Sequence, residues 1–484
     1  MLSGNSEFNP RADADDQAPS YFVVIDGVAN TIYATVPISA APGTVKLLLG
    51  TPRISPGGLD LLEGSWTVAR VTLPFHDVAS EATALFGVGA AGAPVATWKN
   101  RVVTLKAGYR DLAYQFFVTV FTGRVTGLEL ADGGATFELQ ISDASYLLDG
   151  DLCTGATETT PATIRGNVVN VFASFLRGVF STSDPDFPLE AVSTDTGSSS
   201  APTGLGIDDS ALDIAGMKLE RDTWRSDDRV ELEIRDPEPA RGYLQREFFR
   251  AFQARLTILG NGLLGFRFNV AALTASAAPV VTLDTVEDLV AWSQSLVDHL
   301  NRFRVSGDHD PDADPAFASL YDTDSAEDTA DQSATGETVE YRVESRWLRS
   351  TLSGAAIAAE LAGRLRQLWL PMPARVTVAV NFRQRRIESG DVIALTHPDV
   401  PDQRTGVRGV TSRLMTVLRA EPDLLAGRIV LELLDVGLRR YGVISPSSVT
   451  GDYSTATPTE RNTFAFICNS AEQMPDGSDG YRLI

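Results

Sequence analysis

Residues 114–143 read YQFFVTVFTGRVTGLELADGGATFELQISD and decide the fold class. The first eight residues, 114–121, are mostly aromatic or β-branched, which favours a strand. Asp132-Gly133-Gly134 is typical of a hairpin turn, and a further strand-like run follows it from Ala135 to Ile141. The stretch therefore predicts antiparallel strands joined by a tight turn.

Short runs with strand character, ended by turn residues, recur along most of the chain. In residues 66–73 apolar and polar side chains alternate, so one face of this strand is expected to be buried. The other predicted strands are residues 21–25, 45–49, 102–106, 230–234, 256–259, 263–268, 375–382, 392–395, 407–418 and 428–434, with an edge strand at 464–467. Strands this short and turns this regular predict an antiparallel barrel or sandwich.

Four segments have the apolar spacing of helices instead, residues 167–180, 241–255, 285–296 and 355–370. Residues 193–206 are rich in serine, glycine, proline and threonine, and they predict a linker or surface loop. Residues 306–338 are acidic and have little to bury, so we expect an exposed loop there. The predicted fold class is mainly β with some helices (α+β).

The chain of 484 residues is too long for one ordinary core and indicates three or four domains. Its 43% hydrophobic and 21% charged residues are typical of a globular protein. No apolar run approaches the ~18–20 residues that span a bilayer, and the acidic N-terminal residues lack the pattern of a signal peptide. We therefore expect folding in a cytosol and no membrane-spanning segment.

The formal charge of −22 argues against nucleic-acid binding through phosphate neutralisation, which needs clustered lysine and arginine. Two interpretations of the acidity stay open. Either the charge keeps the protein soluble, or it lines a pore through which DNA slides without sticking.

Few residues have the types and spacing of a metal site. Cys153 and Cys468 are far apart and the four histidines are scattered, which excludes a disulfide framework and an ordinary Cys/His zinc site. Carboxylates alternate along residues 308–314 as in a calcium loop, but Ala313 and Ser319 occupy the glycine and glutamate positions of an EF-hand. A solvated acidic loop is favoured over a cation site.

The sequence evidence for catalytic residues is weaker than that for a metal site. His397 stands between a strand and a loop with no acid or nucleophile beside it, and we interpret it as a surface or turn histidine. The glycine-rich residues 87–92 open no helix of a βαβ unit and are interpreted as a loop. The 63 acidic residues offer many pairs for glycoside hydrolysis, but none is singled out. We assign no catalytic, cofactor-binding or metal-binding residue, and expect no enzyme and no cofactor.

Several motifs follow one another in an order that resembles the tail hub, or baseplate hub, proteins at the tail tip of tailed bacteriophages. The first set is FTGRV at residues 121–125 with FELQISD at 137–143, and the second is IRDPEPA at 234–240 with LGNGLL at 259–264. A third set is SGDVIALTHP at 389–398 with GRIVLELLD at 427–435. The resemblance covers most of residues 21–440.

This resemblance implies two tail-tube-like antiparallel β-barrel domains with smaller α+β domains between them. The implied division is an N-terminal arm (1–20), a first hub barrel (21–152), a middle α+β domain (153–272), a connecting segment (273–345) that contains the acidic loop 306–338, a second hub barrel (346–440) and a C-terminal extension (441–484).

The resemblance also implies a structural protein of the virion, made in the host cytoplasm and located at the tail tip. Three copies would form a homotrimeric ring that closes the distal tail tube and adapts it to the tip. The implied partners are the distal tail or tail tube protein, other tail tip or fibre proteins, and genome DNA. The DNA would pass through an acidic lumen without specific binding.

Two alternatives stay open. One is a secreted-type, β-rich protein that binds or cleaves carbohydrate, for which a cleft with convergent acidic and aromatic groups would be evidence. The absence of a signal-peptide pattern speaks against it. The other is a different β protein of the virion, such as a distal tail or baseplate wedge component.

Overall fold

The computed structural model describes residues 19–28, 30–87, 98–159, 161–193, 204–269, 272–273, 281–283, 286–295, 299–307, 322–349, 352, 357–370, 372–381, 384, 387–402, 406–423, 426, 428–436, 439–440, 466–467 and 481–482. Nearly all of the predicted N-terminal arm and most of the predicted C-terminal extension lie outside these residues. Within them the chain is mainly strand with some helices, which confirms the predicted fold class.

The N-terminal part of the chain forms an eight-stranded sheet, with a separate two-stranded ribbon beside it. The strands are β1 (Pro19–Ile25), β2 (Thr31–Ala34), β3 (Thr44–Lys46), β4 (Arg53–Ser55), the ribbon β5 (Gly58–Asp60) and β6 (Ser65–Thr67), then β7 (Arg70–His76), β8 (Val102–Tyr109), β9 (Val118–Ala131) and β10 (Thr136–Ser142); helix α1 (Glu81–Phe86) follows β7. The sheet order is β3-β2-β1-β8-β9-β10-β7-β4. Phe137 lies opposite Phe75 and Leu139 opposite Leu73, because alternate residues of a strand point to one side.

One segment joins the two sides of this sheet. β3 pairs with β2, and the residues after it turn toward β7. There the N–H of Gly50 donates to the carbonyl of Pro74 at 2.7 Å, and the N–H of His76 donates to that of Leu48 at 2.8 Å. β4 then pairs with the other half of β7. The first sheet therefore closes into a barrel around a buried apolar core.

The middle of the chain mixes short strands with helices. Its elements are β11 (Asp151–Leu152), β12 (Ala162–Asn167), α2 (Val168–Arg177), β13 (Leu189–Ser193), α3 (Ile214–Trp224), β14 (Arg229–Ile234), β15 (Glu238–Pro239), α4 (Ala240–Leu244), a π-helical turn (Gln245–Arg250), β16 (Ala254–Ile258), β17 (Leu264–Phe268) and β18 (Ala272–Leu273). The order β13-β12-β14 forms one sheet, and β16 with β17 forms the predicted hairpin. Phe172 of α2 stacks on Phe248 with ring centroids 4.2 Å apart, at the centre of an aromatic cluster.

The next elements serve two different sheets. They are β19 (Val281–Leu283), β20 (Val286–Gln294), β21 (Arg302–Gly307), β22 (Asp322–Glu327), α5 (Thr329–Thr335), β23 (Glu340–Glu344) and α6 (Ile357–Trp369). The order β22-β21-β23 forms a small sheet. Helix α6 buries Leu361, Leu365 and Leu368 on one side, at the helical spacing that the sequence predicts.

The C-terminal part supplies the other four strands of the second large sheet, β24 (Ala374–Asn381), β25 (Val392–Asp402), β26 (Val407–Asp423) and β27 (Arg428–Asp435). Three short strands lie outside that sheet: β28 (Arg439–Arg440) pairs with β18, and β29 (Phe466–Ile467) pairs with β30 (Tyr481–Arg482). The order β19-β25-β26-β27-β24-β20 places residues 281–294 at both edges of a curved sheet. Val376 lies opposite Leu433 and Val378 opposite Leu431, so aliphatic residues fill its inner side.

The two large sheets share one core. Buried apolar residues of both belong to a single continuous cluster, and β26 lies against β4 and β5 of the first barrel. The other side of the second sheet, with Val392, Leu414 and Leu434, packs on the core of the middle part. The first barrel and the second large sheet, which forms a half-barrel and is called the second barrel below, therefore stand side by side. The middle part lies against the second barrel.

The predicted helix at residues 285–296 is wrong, because β20 is a strand paired with β24. Its pairing is irregular between Val286 and Asp288 and again between Leu289 and Ala291. Each irregularity shifts the alternation of side chains by one residue, which gives the apolar residues a helix-like spacing. The predicted connecting segment 273–345 thus contributes β19 and β20 to the second barrel. The domain boundaries otherwise stay predictions.

Two further segments differ from their predictions. The strand predicted at 114–121 begins only at Val118, because Tyr114–Phe116 is a 3₁₀ turn that is bonded to the carbonyl of Ser39. The prediction of an exposed loop at residues 306–338 is wrong for two parts of that range, which form β22 and α5. Backbone hydrogen bonds to β21 hold β22 despite its few apolar side chains, and Asp328 caps α5. No helix of the described residues is long and apolar enough to cross a membrane.

Candidate functional site

The two barrels and the β16–β17 hairpin meet at one junction. The hairpin turn lies against β9, where Thr122 Oγ1 donates to the carbonyl of Gly260 at 3.3 Å. Gly262 has a φ of +83°, and a Cβ at this position would lie 2.8 Å from Thr122 Cγ2. Glycine suits both the backbone conformation and the close approach. The predicted turn sequence Gly260-Asn261-Gly262 therefore sets how closely the hairpin approaches the first barrel.

On its other side the hairpin turn contacts the turn that precedes β25. The N–H of Gly260 donates to the Glu388 carboxyl. Within the second turn, the N–H of Glu388 donates to Asp391 Oδ2 at 2.8 Å, and the N–H of Gly390 donates to the carbonyl of Val417 at 2.7 Å. The hairpin turn therefore connects the first barrel with the second.

A cavity of about 190 Å³ lies at this junction, and we call it the junction cavity. It is lined by the first barrel and its ribbon, by the hairpin and by the second barrel, with Trp66, Phe121, Leu259, Ile387, Asp143 and Glu388 among its walls. The walls are mostly apolar. The two carboxyls in them, Asp143 and Glu388, have different environments.

Burial shifts the acid–base equilibria around the second turn. Burial, followed by the nearby charge of Asp391, raises the pKa of Glu388 to about 7. Burial also raises the pKa of Asp391, and it lowers the pKa of Arg255, on β16, to about 10. Glu388 therefore changes its protonation state near neutral pH, which an ordinary glutamate does not.

Asp143, by contrast, has a structural role. Its Oδ2 accepts the N–H of Ala69 at 2.7 Å, and its Oδ1 accepts the N–H of Ser145 at 2.9 Å and the Ser145 hydroxyl at 2.5 Å. In this way it caps the 3₁₀ turn Ala144–Leu148 and ties it to the first barrel. Both oxygens are occupied by bonds within the chain.

The second barrel also has an exposed edge. β20 pairs with β24 on one side, and among the described residues no strand pairs with its other side. Val290 of β20 is 56% exposed, and Leu130 near the end of β9 in the first barrel is 59% exposed. Open strand edges and exposed apolar side chains are usual contact points between chains. These two residues mark candidate assembly surfaces, one on each barrel.

Charge is unevenly distributed along the chain. On the outer side of the second barrel, acidic and basic side chains are paired, as in Arg375 with Glu432 at 2.8 Å and Arg419 with Glu421 at 3.1 Å. Residues 306–338, in contrast, contain ten aspartates and glutamates and no lysine or arginine. Nearly half of the net charge of −22 is therefore concentrated in this one segment.

Among the described residues, the candidates named from the sequence do not lie together. Residues 308–314 lie outside the described residues, as does the glycine-rich stretch after Gly87. Within the described part of the chain, no three histidine, cysteine, aspartate or glutamate side chains form a metal-binding group. His397 lies inside β25 rather than after a strand, and its Nδ1 accepts the N–H of Asp399 at 3.1 Å. Cys153 is buried, which raises the pKa of its thiol to about 12.

Comparison with known proteins gives matches to solved structures alone. No protein-family model matches the sequence, and no curated protein matches it. The tail protein of prophage MuSo2 from Shewanella oneidensis matches with a TM-score of 0.41 and 14% identity, over 86% of this chain and 98% of its own. The chain is similar to phage tail proteins. A tail protein from Neisseria meningitidis (TM-score 0.41, 9% identity, 87% and 98% covered) and a prophage tail protein from Listeria monocytogenes (0.38, 8%, 86% and 94%) also match.

Sequence reasoning missed Glu388. The turn Gly390-Asp391 was predicted from its residue types, but the burial of its neighbour depends on a hairpin from a distant part of the chain. A single glutamate beside a turn carries no signal of that contact. Gly260-Asn261-Gly262 and Gly390 are the sequence features nearest to the site, and each indicates only a turn.

Proposed function

We propose that the chain is a structural tail hub protein of a tailed phage or of a phage-derived particle. The observation that carries the proposal is the packing of two barrel-type sheets, side by side, into one apolar core within a single chain. One chain thereby supplies two tube-type units in a fixed relation, which suits a part that joins a tube to a tip. The sequence motifs of both barrels resemble those of hub proteins.

In this proposal three chains form a ring at the distal end of the tail tube. Three chains with two barrels each supply six barrels, which matches a hexameric tube. A contact repeated around an axis closes such a ring. The free edge of β20, with Val290, is the candidate for this contact, because an open edge otherwise promotes uncontrolled association.

The lumen of the ring is proposed to be acidic and to let DNA pass without specific binding. The net charge of −22 and the ten carboxylates of residues 306–338 support this part of the proposal. Negative charge repels the phosphate backbone and prevents adhesion. A ring reconstruction with these residues on its outer surface would contradict the acidic lumen but not the ring.

The proposed location is the tail tip of the virion. The distal tail or tail tube protein would contact one side of the ring, and other tip or fibre proteins the opposite side. Symmetry matching explains why one chain would carry two barrels: each barrel faces one subunit of a hexameric tube.

Light scattering across a concentration series tests the ring. We expect a mass that rises toward three times 52.0 kDa as the concentration increases, and rings with six similar lobes in electron micrographs of the heaviest fraction. A mass that stays at 52.0 kDa at all concentrations, with no ring after addition of the distal tail protein, would contradict the proposal.

A glycan-binding or glycan-cleaving protein is the second candidate, and one observation favours it. The junction cavity holds Trp66 and Phe121 together with Glu388, and a pKa of about 7 suits a general acid. The other carboxyl in the cavity, Asp143, is already fully hydrogen-bonded. Release of reducing sugar that is lost in Glu388→Gln would favour this candidate over the hub.

A further inference from the structure

A contact between two turns holds the β16–β17 hairpin on the second barrel. The N–H of Gly260, in the hairpin turn, donates to the carboxyl of Glu388, in the turn that precedes β25. Gly390 of this second turn lies so close to Arg255 of β16 that a Cβ there would be 3.2 Å from Arg255 Nε. We call the contact of the hairpin with residues 387–391 the turn contact.

Acidic groups outnumber basic groups around the turn contact. Arg255 donates to two uncharged oxygens, at 3.3 and 2.7 Å. Arg267 of β17 pairs with Asp213 at 3.0 Å and with Glu220, on α3, at 3.7 Å. On the side of the first barrel, the carboxyl in the cavity wall is that of Asp143. With the two carboxyls of the second turn, the two guanidinium groups therefore face more acidic groups than they can neutralise.

The two carboxyls of the second turn belong to Glu388 and Asp391, and the N–H of Glu388 donates to Asp391 Oδ2 at 2.8 Å. Burial raises the pKa of Asp391, and the charges of Arg255 and Arg267 oppose this shift. Burial and then the charge of Asp391 raise the pKa of Glu388 to about 7, although the hydrogen bond from Gly260 opposes that shift. The arginines thus favour a charged Asp391, and a charged Asp391 favours a neutral Glu388.

We propose that the turn contact is a pH-sensitive switch, which is firm when Glu388 is protonated and loosens when Glu388 and Asp391 are both ionised. In the first state the second turn carries one negative charge, close to Arg255. In the second state another negative charge develops in the same half-buried turn, where water screens it poorly. Separation of the two turns hydrates both carboxylates and relieves their repulsion. Because Gly260 also accepts a hydrogen bond from Thr122, the switch changes how the hairpin joins the two barrels.

Hydrogen exchange of the full chain at pH 6, 7 and 8 tests the switch. The N–H groups of Leu259, Gly262 and Gly390 are hydrogen-bonded in or beside the turn contact, and their protection factors correct each rate for the direct effect of pH. The folded pKa of Glu388 is raised, so opening should increase as the pH rises through 7. A change from 4.5 in the open state to about 7 in the closed state predicts that the protection factors fall by up to about tenfold between pH 6 and 8.

Local opening can be separated from unfolding of the whole chain. The N–H groups of the turn contact should exchange faster than those of β12 and β14 in the middle part, and their rates should not change at low urea concentrations, because local opening exposes little surface. Exchange with the same protection and the same urea dependence as β12 and β14 would overturn the switch.

Glu388→Gln keeps the shape of the side chain but cannot ionise, so its protection factors at the turn contact should be the same at pH 6 and pH 8. Asp391→Asn removes the neighbouring charge and should move the onset of opening to lower pH. Glu421→Gln is the matched control, because Glu421 pairs with Arg419 on the same barrel and its replacement should keep the wild-type profile.

Two results at the turn contact would also contradict the proposal. One is a set of protection factors in the wild type that does not change between pH 6 and pH 8, and the other is an equal change in Glu388→Gln. The measurements use a dilute solution of the single chain, so their outcome does not depend on ring assembly.

Discussion

The two barrels of this chain differ in how their interiors are filled. The first is packed with aromatic rings, since Phe75 meets Tyr33 and Phe86 edge-on with ring centroids 5.4 and 5.3 Å apart. Its ion pairs lie on the surface, as in Lys46 with Glu81. Backbone bonds along residues 44–55 also close it within the chain.

The second barrel has an aliphatic interior that contains a buried ion pair. Arg413 is in phase with Met415 and Val417 and so points to the inner side of β26. Its Nε lies 2.8 and 3.0 Å from the two carboxylate oxygens of Asp435, and its Nη2 lies 2.7 Å from one of them. Both side chains are almost fully buried.

The two barrels also differ in whether their edges are closed, and this difference predicts different roles for them. Residues 19–142 supply both the aromatic packing and the backbone closure of the first barrel, and its core continues into that of the second barrel. The second barrel has an open edge at β20, and its β26–β27 pairing includes a polar contact with a fixed geometry. We therefore expect the first barrel to stabilise the chain and the second to supply contacts with other chains.

Breaking the buried ion pair should have the largest effect. Asp435→Ala leaves the Arg413 guanidinium buried without its partner, and we expect a loss of about 3–5 kcal/mol in the free energy of unfolding. Urea unfolding measures it. The double variant Arg413→Met/Asp435→Ala removes the charge as well and should recover much of the loss. Equal losses in the single and double variants would mean that packing, not charge, explains the effect.

A side chain at Gly262 should separate the hairpin from the first barrel. Gly262→Ala combines a φ of +83° with a contact of 2.8 Å to Thr122, and we expect a loss of about 1–3 kcal/mol. Gly134→Ala is the matched control, because its φ is +100° but nothing lies within 4 Å of the added Cβ. Equal losses in urea unfolding would assign the whole effect to the backbone and none to the junction.

The stability of the protein should depend on pH through Glu388, in the turn that precedes β25 of the second barrel. The folded pKa of Glu388, about 7, lies above its ordinary value of 4.5. The native state therefore holds a proton that the unfolded state releases, and stability falls as the pH rises from about 4.5 to 7. Because Glu388 is only partly buried, we expect Glu388→Gln to be more stable than the wild type at pH 8 by on the order of 1 kcal/mol.

Glu388→Gln and the wild type should have similar stabilities near pH 4, where Glu388 is mostly protonated in both the folded and the unfolded state. Thermal unfolding at pH 4, 6 and 8 measures the difference. A constant difference at all three values would show that Glu388 does not titrate in this window. Glu421→Gln provides the control for replacing a paired, exposed glutamate of the same barrel.

Much of the fold could be predicted from local signals. Asp132-Gly133-Gly134 and Gly260-Asn261-Gly262 indicate tight turns through their residue types, and the alternation in residues 66–73 indicates a half-buried strand. Helix α6 was predicted from the spacing of its apolar residues. In these segments the local preference and the tertiary structure agree.

The errors occur where pairing partners decide the structure. The pairing of β20 with β24 has two irregularities, so apolar and polar side chains do not alternate regularly along β20. β22 is a strand because it pairs with β21, although its sequence is acidic. Glu388 is partly buried beneath the β16–β17 hairpin, which is distant in sequence and whose Gly260 N–H donates to its carboxyl. Contacts between distant parts of the chain cannot be inferred from the sequence of neighbouring residues. For this reason neither β20 and β22 nor the environment of Glu388 could be predicted.

Replacing the exposed apolar residues should have the smallest effect on stability. These variants also test directly which of the two barrels forms contacts with other chains. Val290→Lys and Leu130→Lys each replace a side chain that is more than half exposed, so unfolding should change by less than about 0.5 kcal/mol in both. If the edge of β20 forms the ring contact, Val290→Lys should lower the mass measured by light scattering, because lysine on an edge strand opposes strand pairing. Leu130→Lys, on the first barrel, should keep the mass of the wild type. The reverse result would assign the ring contact to the first barrel rather than to the edge of β20.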